Sequence, residues 1–106
     1  DHDFLFSKTS HLPHVISYSL TESLFKNLGD KTFDFSGGSL EDYTRIASSD
    51  PVMWKDILIS NHQNILDSIE EFEESLASLK DLIKNKDEEA LVNYFKRVKI
   101  LRDNSV

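Results

Sequence analysis

Two histidines three residues apart, in Ser10-His11-Leu12-Pro13-His14, are the first side chains in this sequence that could do chemistry. On a helix that spacing puts both imidazoles on one face. Three uses are open to such a pair. They could ligate a metal, although no third histidine or carboxylate stands at a fixed local spacing. They could be partly buried and satisfied by backbone or carboxylate partners. Or they could bind an anionic ligand beside Pro13, since an imidazole both donates and accepts near neutral pH.

The second candidate is Arg45, in the stretch that runs from Gly37-Gly38 through Asp42-Tyr43-Thr44-Arg45 to Ser49-Asp50-Pro51-Val52-Met53-Trp54. An arginine after Asp and Thr often makes only a surface ion pair. Here a capped turn and an apolar stretch follow it, which predicts a place at a concave junction between helices. A guanidinium there can grip a carboxylate through two parallel hydrogen bonds. Met53 and Trp54 are residue types that more often form core than touch ligand, yet beside Arg45 they also suit a ring-shaped acid.

Other chemistries are excluded or disfavoured by what the sequence lacks. Gly37-Gly38 stands alone and follows no convincing strand, so neither a dinucleotide fingerprint nor a phosphate loop is present. The formal net charge of −7 opposes nucleic acid and anionic membrane as partners, because both require a positive field. With no cysteine there are no disulfides and no thiolate chemistry, which is compatible with the cytoplasm. No apolar run approaches the roughly 20 residues of a membrane span. The opening Asp1-His2-Asp3, without an initiator Met, predicts a fragment of a longer protein.

The elements that must carry these residues read as helices. In 106 residues only three are Gly and two Pro, too few for the turns of an all-β fold, so the expectation is a single all-α domain over 1–106. A first helical stretch covers 4–28, with a kink or helix start at Pro13. Gly29-Asp30-Lys31 stops it, and Lys31–Gly38 is a loop. A short helix over 39–47 is expected with Ser39 as N-cap. Asp50-Pro51 then caps and opens a long helix, from about 51 to 85, of about 50 Å unless Ser60-Asn61 breaks it. Ile65, Ile69, Phe72, Leu76, Leu79 and Ile83 form an a/d seam on it, the mark of a helix-packing interface with a partner. Asp87 caps a last helix to about Arg102, acidic at its start and basic toward its end.

Together, Ser10-His11-Leu12-Pro13-His14, Gly37-Gly38, Asp42-Tyr43-Thr44-Arg45-Ile46-Ala47 and Ser49-Asp50-Pro51-Val52-Met53-Trp54 resemble the C-terminal domain of prephenate dehydrogenases, and the resemblance runs to about residue 103. It implies an enzyme of tyrosine biosynthesis that uses NAD or NADP to oxidise and decarboxylate prephenate to 4-hydroxyphenylpyruvate. The Rossmann domain that binds nicotinamide and carries the catalytic histidine is then absent from this chain, which supplies the homodimer interface and half of the substrate cleft. By the same resemblance Arg45 anchors a substrate carboxylate, His14 contacts its acidic groups and His11 supports His14. Asp42 joins an ionic network at the cleft mouth, while Ser49 and Trp54 line the pocket near the dimer. Prephenate and arogenate both fit as substrate, and tyrosine is a candidate inhibitor. Two rivals stand beside this reading: a non-catalytic helical oligomerisation module built on the 65–83 seam, and a small helical chorismate mutase. The second would need several cations around a bundle core, and only Arg45 and Arg97 offer themselves.

Overall fold

The computed structural model describes residues 1–35 and 37–106; Ser36, in the expected Lys31–Gly38 loop, lies outside the described residues. In chain order the elements are α1 (His2–Phe6), a π-helical turn (Ser7–His11), α2 (Leu12–Leu28), a 3-10 turn (Gly29–Lys31), α3 (Gly38–Arg45), a 3-10 turn (Ile46–Ser48), α4 (Pro51–Ser60), α5 (His62–Lys84) and α6 (Glu88–Ser105). No strand occurs among the described residues, and the expected all-α class holds. The chain divides into two compact units, residues 1–69 and 70–106, with α5 contributing to both.

Local chemistry explains most boundaries. Pro13 lacks an N–H and its ring crowds the carbonyl four residues back, so the turn before it widens: the Leu12 N–H bonds the Ser7 carbonyl, five residues back, as in a π-turn. Asp50 caps α4 by accepting from the Val52 N–H at 3.3 Å, and Pro51 takes the first helical position. Asp87 does the same for α6, accepting from the Ala90 N–H at 3.1 Å. Lys86, between α5 and α6, sits at φ 54 and closes α5 with the Lys86 N–H on the Ile83 carbonyl and the Asp87 N–H on that of Leu82.

Two expectations need correction. The helix expected over 51–85 is two helices: Asn61 caps α4 with φ −116 and ψ 29, outside the helical well, and α5 restarts at His62. The N-cap of α3 is Gly37, extended and without a side-chain bond, so Ser39 lies inside the helix rather than capping it.

In the first unit α2 is the hub, touching the π-turn, α3 and both 3-10 turns. Its strongly buried apolar side chains are Trp54 at 7% and Ile65 at 4% exposure; the other deeply buried residues are hydroxyls, Ser7, Ser17, Thr32, Thr44 and Ser68. Each hydroxyl is satisfied, as burial demands. Ser7 Oγ donates to the Phe4 carbonyl and meets Ser68 Oγ at 3.1 Å, joining the π-turn to α5. Ser17 Oγ donates to the Tyr43 carbonyl at 2.8 Å, joining α2 to α3. Small polar side chains at such crossings let the backbones approach closely. Lys8 Nζ also donates to Ser68 Oγ at 3.3 Å, so Ser68→Ala removes an acceptor as well as a buried partner. The expected loss is about 1 kcal/mol, read as a lower urea midpoint for the unfolding of this domain in the full-length protein. An unshifted midpoint would mean that the crossing is held by other contacts.

Candidate functional site

Trp54 of α4 gathers the two histidines. The His14 ring stacks on the indole, with centroids 3.9 Å apart and planes at 20°, and His11 meets it edge-on at 5.9 Å and 83°. Their three-residue spacing keeps both rings on one side of the helical backbone. His14 Nδ1 lies 2.9 Å from the Ser10 carbonyl, which fixes the ring along the helix. On the far side of His11, Asn61 Nδ2 stands 3.3 Å from Nδ1. Burial, and then the neighbouring His14, push the His11 pKa below its ordinary value, against the opposite pull of the Asp3 carboxylate.

Arg45, at the end of α3, lines a different hollow. Its walls include Thr21 and Phe25 of α2, Phe33, Glu41, Asp42 and Ser48, around a space of about 480 Å³. Phe25 and Phe33 meet edge to face with centroids 5.8 Å apart and make the apolar wall. Thr44, buried beneath the hollow, donates its hydroxyl to the Leu40 carbonyl at 2.9 Å and keeps the last turn of α3 closed. Among the described residues Arg45 has no ion-pair partner, although Glu41 and Asp42 share the hollow. Its fork of donors is therefore not consumed within the fold.

Five of the six site residues expected from sequence fall into two groups. His11, His14 and Trp54 form one contact cluster; Arg45 and Asp42 line the hollow, and neither histidine is among its walls. The groups are nonetheless in series along α2. His14 and Thr21 are two helical turns apart on one face, so the cluster and the hollow are offset by roughly 10 Å along that helix. Ser49 belongs to neither: its hydroxyl donates to the Ile46 carbonyl and its own carbonyl lies 3.4 Å from the Tyr18 hydroxyl, while the neighbouring Ser48 lines the Arg45 hollow. Thr21, Phe25, Phe33, Ser48 and Asn61 escaped the sequence reading. The i, i+7, i+11 spacing of His14, Thr21 and Phe25 could have exposed two of them; no local motif marks the others. Among the described residues no three His, Cys, Asp or Glu side chains gather as a metal site, and no helix is long and apolar enough to cross a membrane.

The described residues thus form a helical domain that holds a guanidinium without an ion-pair partner in one hollow and two imidazoles around an indole. Residues 1–97 match the family described as prephenate dehydrogenase, dimerization domain, and the chain belongs to that family. It is 38% identical over 105 residues to a prephenate dehydrogenase of Bacillus subtilis (strain 168), covering 97% of this chain and 28% of that protein. With a cyclohexadienyl dehydrogenase of Zymomonas mobilis it shares 36% identity over 98 residues, 90% of this chain and 33% of the relative. Its fold superposes with a TM-score of 0.89 on the crystal structure of prephenate dehydrogenase from A. aeolicus in complex with hydroxyphenyl propionate and NAD+, at 45% identity, covering 97% of this chain and 37% of that one. The chain thus spans only about a third of the length of these relatives.

The depressed His11 pKa has a consequence for stability. The folded state prefers neutral His11, so below about pH 6.5 the unfolded chain binds more protons and stability falls as pH drops. Above about 6.5 both states hold the neutral ring and the effect vanishes. His11→Gln is expected to flatten that acid limb when the melting temperature of the full-length protein is followed from pH 7 to 5. An unchanged slope would place the acid sensitivity elsewhere.

Proposed function

We propose that this chain is the C-terminal dimerisation and substrate-binding domain of a cytoplasmic prephenate dehydrogenase, which converts prephenate to 4-hydroxyphenylpyruvate in tyrosine biosynthesis by NAD- or NADP-dependent oxidative decarboxylation. The single observation that carries the reading is Arg45, unpaired in a hollow with an aromatic wall, within a chain of this family. Prephenate is a ring with two carboxylates, and an acidic protein needs a local, preorganised cation to hold it. Arg45 grips one carboxylate while Phe25 and Phe33 face the ring. His14, whose Nδ1 donates to the Ser10 carbonyl, keeps Nε2 for the substrate, where the protonated ring donates to its acidic groups, with His11 beside it. Asp42 takes part in an ionic network at the mouth of the cleft, and Trp54 completes its lining at the dimer side, while Ser48, which lines the Arg45 hollow, takes the place expected for Ser49. Held in this way the ring cannot turn, and carbon dioxide can leave as aromaticity forms.

The residues of this chain do not fit a dinucleotide. Its three glycines, Gly29, Gly37 and Gly38, form no Gly-x-Gly-x-x-Gly turn, so NAD or NADP is held by other parts of the full-length protein. The A. aeolicus relative, whose structure includes NAD+, supports NAD as the cofactor. Arogenate in place of prephenate, and inhibition by tyrosine, extend the same site chemistry, because each keeps a carboxylate for Arg45.

The homodimer is supported by the apolar surface of residues 70–106. Leu76, Ile83 and Phe95 are 53%, 58% and 57% exposed, and none of the strongly buried apolar residues belongs to this unit. A face of that kind calls for a second subunit. It is also what a non-catalytic oligomerisation module would show; the Arg45 hollow is the feature such a module would not need.

Two measurements test the proposal. In the full-length enzyme Arg45→Ala is expected to raise KM for prephenate at least tenfold, the cost of a charge-assisted hydrogen-bonded pair, with a smaller change in kcat; an unchanged KM removes Arg45 from the site. Leu76→Glu is expected to shift the protein from dimer to monomer in sedimentation at micromolar concentration, and a persistent dimer would take the seam out of the interface.

A further inference from the structure

Asn61 interrupts the helix between α4 and α5, and its side chain reaches back to the N-terminal segment. Nδ2 lies 2.8 Å from the main-chain carbonyl of Asp3 and 3.3 Å from Nδ1 of His11, and Oδ1 receives Asn64 Nδ2 at 2.9 Å. A carbonyl oxygen only accepts, so the Asn61 atom facing Asp3 is the nitrogen and the orientation of the amide is settled. The other hydrogen of that nitrogen then meets His11, whose Nδ1 must receive it with a lone pair. The one proton of the neutral His11 ring is left on Nε2. His14 is the reverse. Its Nδ1 faces the Ser10 carbonyl at 2.9 Å and must carry the proton, which leaves Nε2 bare in the neutral ring.

We propose that Asn61 is a positioning residue that locks neutral His11 into its Nε2–H form, so that the two imidazoles around Trp54 offer a ligand one donor and one acceptor. The ligand half of this statement rests on reading the His11–His14 cluster as part of the substrate site. Its chemistry follows. A carboxylate, which only accepts, is met directly by neutral His11; His14 can add a second hydrogen bond to it only when protonated. A hydroxyl, which both donates and accepts, can bridge the two neutral rings. His11 thereby becomes the direct donor to a substrate oxygen rather than a support for His14. The neutral ring is also the form that burial favours at His11.

The test uses the full-length protein labelled with 15N-histidine, in which two-bond proton–nitrogen correlations report which ring nitrogen carries hydrogen; His11→Gln assigns the His11 signals. The expected wild-type pattern is a protonated Nε2 and a bare Nδ1. In Asn61→Asp the carboxylate can only accept, so the proton moves to Nδ1, or the ring gains a second one there. A wild-type His11 protonated at Nδ1 would overturn the proposal, and so would Asn61→Asp that leaves Nδ1 bare. If Asn61→Asp does not fold by circular dichroism, the wild-type pattern alone decides, together with Asn61→Ala, in which a mixture of tautomers is expected and an unchanged Nε2–H form overturns the lock. Steady-state kinetics separates this from the substrate reading. A roughly tenfold rise in KM for prephenate is expected in Asn61→Asp. A switched tautomer with unchanged KM would leave the role of Asn61 standing and take the histidine cluster out of the substrate site.

Discussion

The contact between Trp54 and the two imidazoles is the constraint on which the first unit depends. Trp54 is one of two strongly buried apolar side chains there, and its ring partners are two imidazoles, His11 of the π-turn and His14 of α2. An indole against imidazoles gains dispersion and ring electrostatics while leaving ring nitrogens available. The cost is a thin core. The hydroxyl crossings at Ser7–Ser68 and Ser17–Tyr43 compensate, since they allow close approach and leave no donor unsatisfied.

That thinness extends along the chain. Residues 70–106 contribute no strongly buried apolar side chain, while Leu76, Ile83, Phe95, Ile100 and Leu101 are all exposed. Burial of apolar surface is the main favourable term in folding, so a helical pair left in this state has forgone much of its own stabilisation. Assembly and folding are then coupled. A substitution on the seam then acts on the fold of these helices as well as on pairing through them.

Much of the architecture was legible in the sequence because its determinants are local. Asp50-Pro51 and Asp87 cap the helices they were expected to cap, Pro13 disturbs the first helix, and Ser60-Asn61 marks the break in the long one. The histidine pair was legible for the same reason, a three-residue spacing that a helix converts into a shared face. What stayed hidden is non-local. Ser7 and Ser68 look like surface positions until the fold brings them together across about sixty residues. Ser39 looked like a cap, but the extended Gly37 caps the helix two residues earlier. Ser48 and Ser49 cannot be told apart by type; only the 3-10 turn decides that Ser48 faces the hollow and Ser49 bonds back to Ile46. The separation of Arg45 from the histidines was likewise invisible, because sequence motifs carry order and not distance.

Asn61 joins these two kinds of information. As a helix breaker it is a local feature: its backbone leaves the helical well and lets α5 set off anew. As a ligand of Asp3 and His11 it is non-local, and the second role needs the first. Within an unbroken helix the side chain at this position would be held to the direction of its own turn, over the residues just before it. The interruption frees it to reach the carbonyl of Asp3, and that carbonyl, able only to accept, dictates the orientation of the amide and through it the protonated nitrogen of His11. A single main-chain oxygen at the N-terminal end of the chain thus determines which nitrogen of the neutral His11 ring is left to carry the proton.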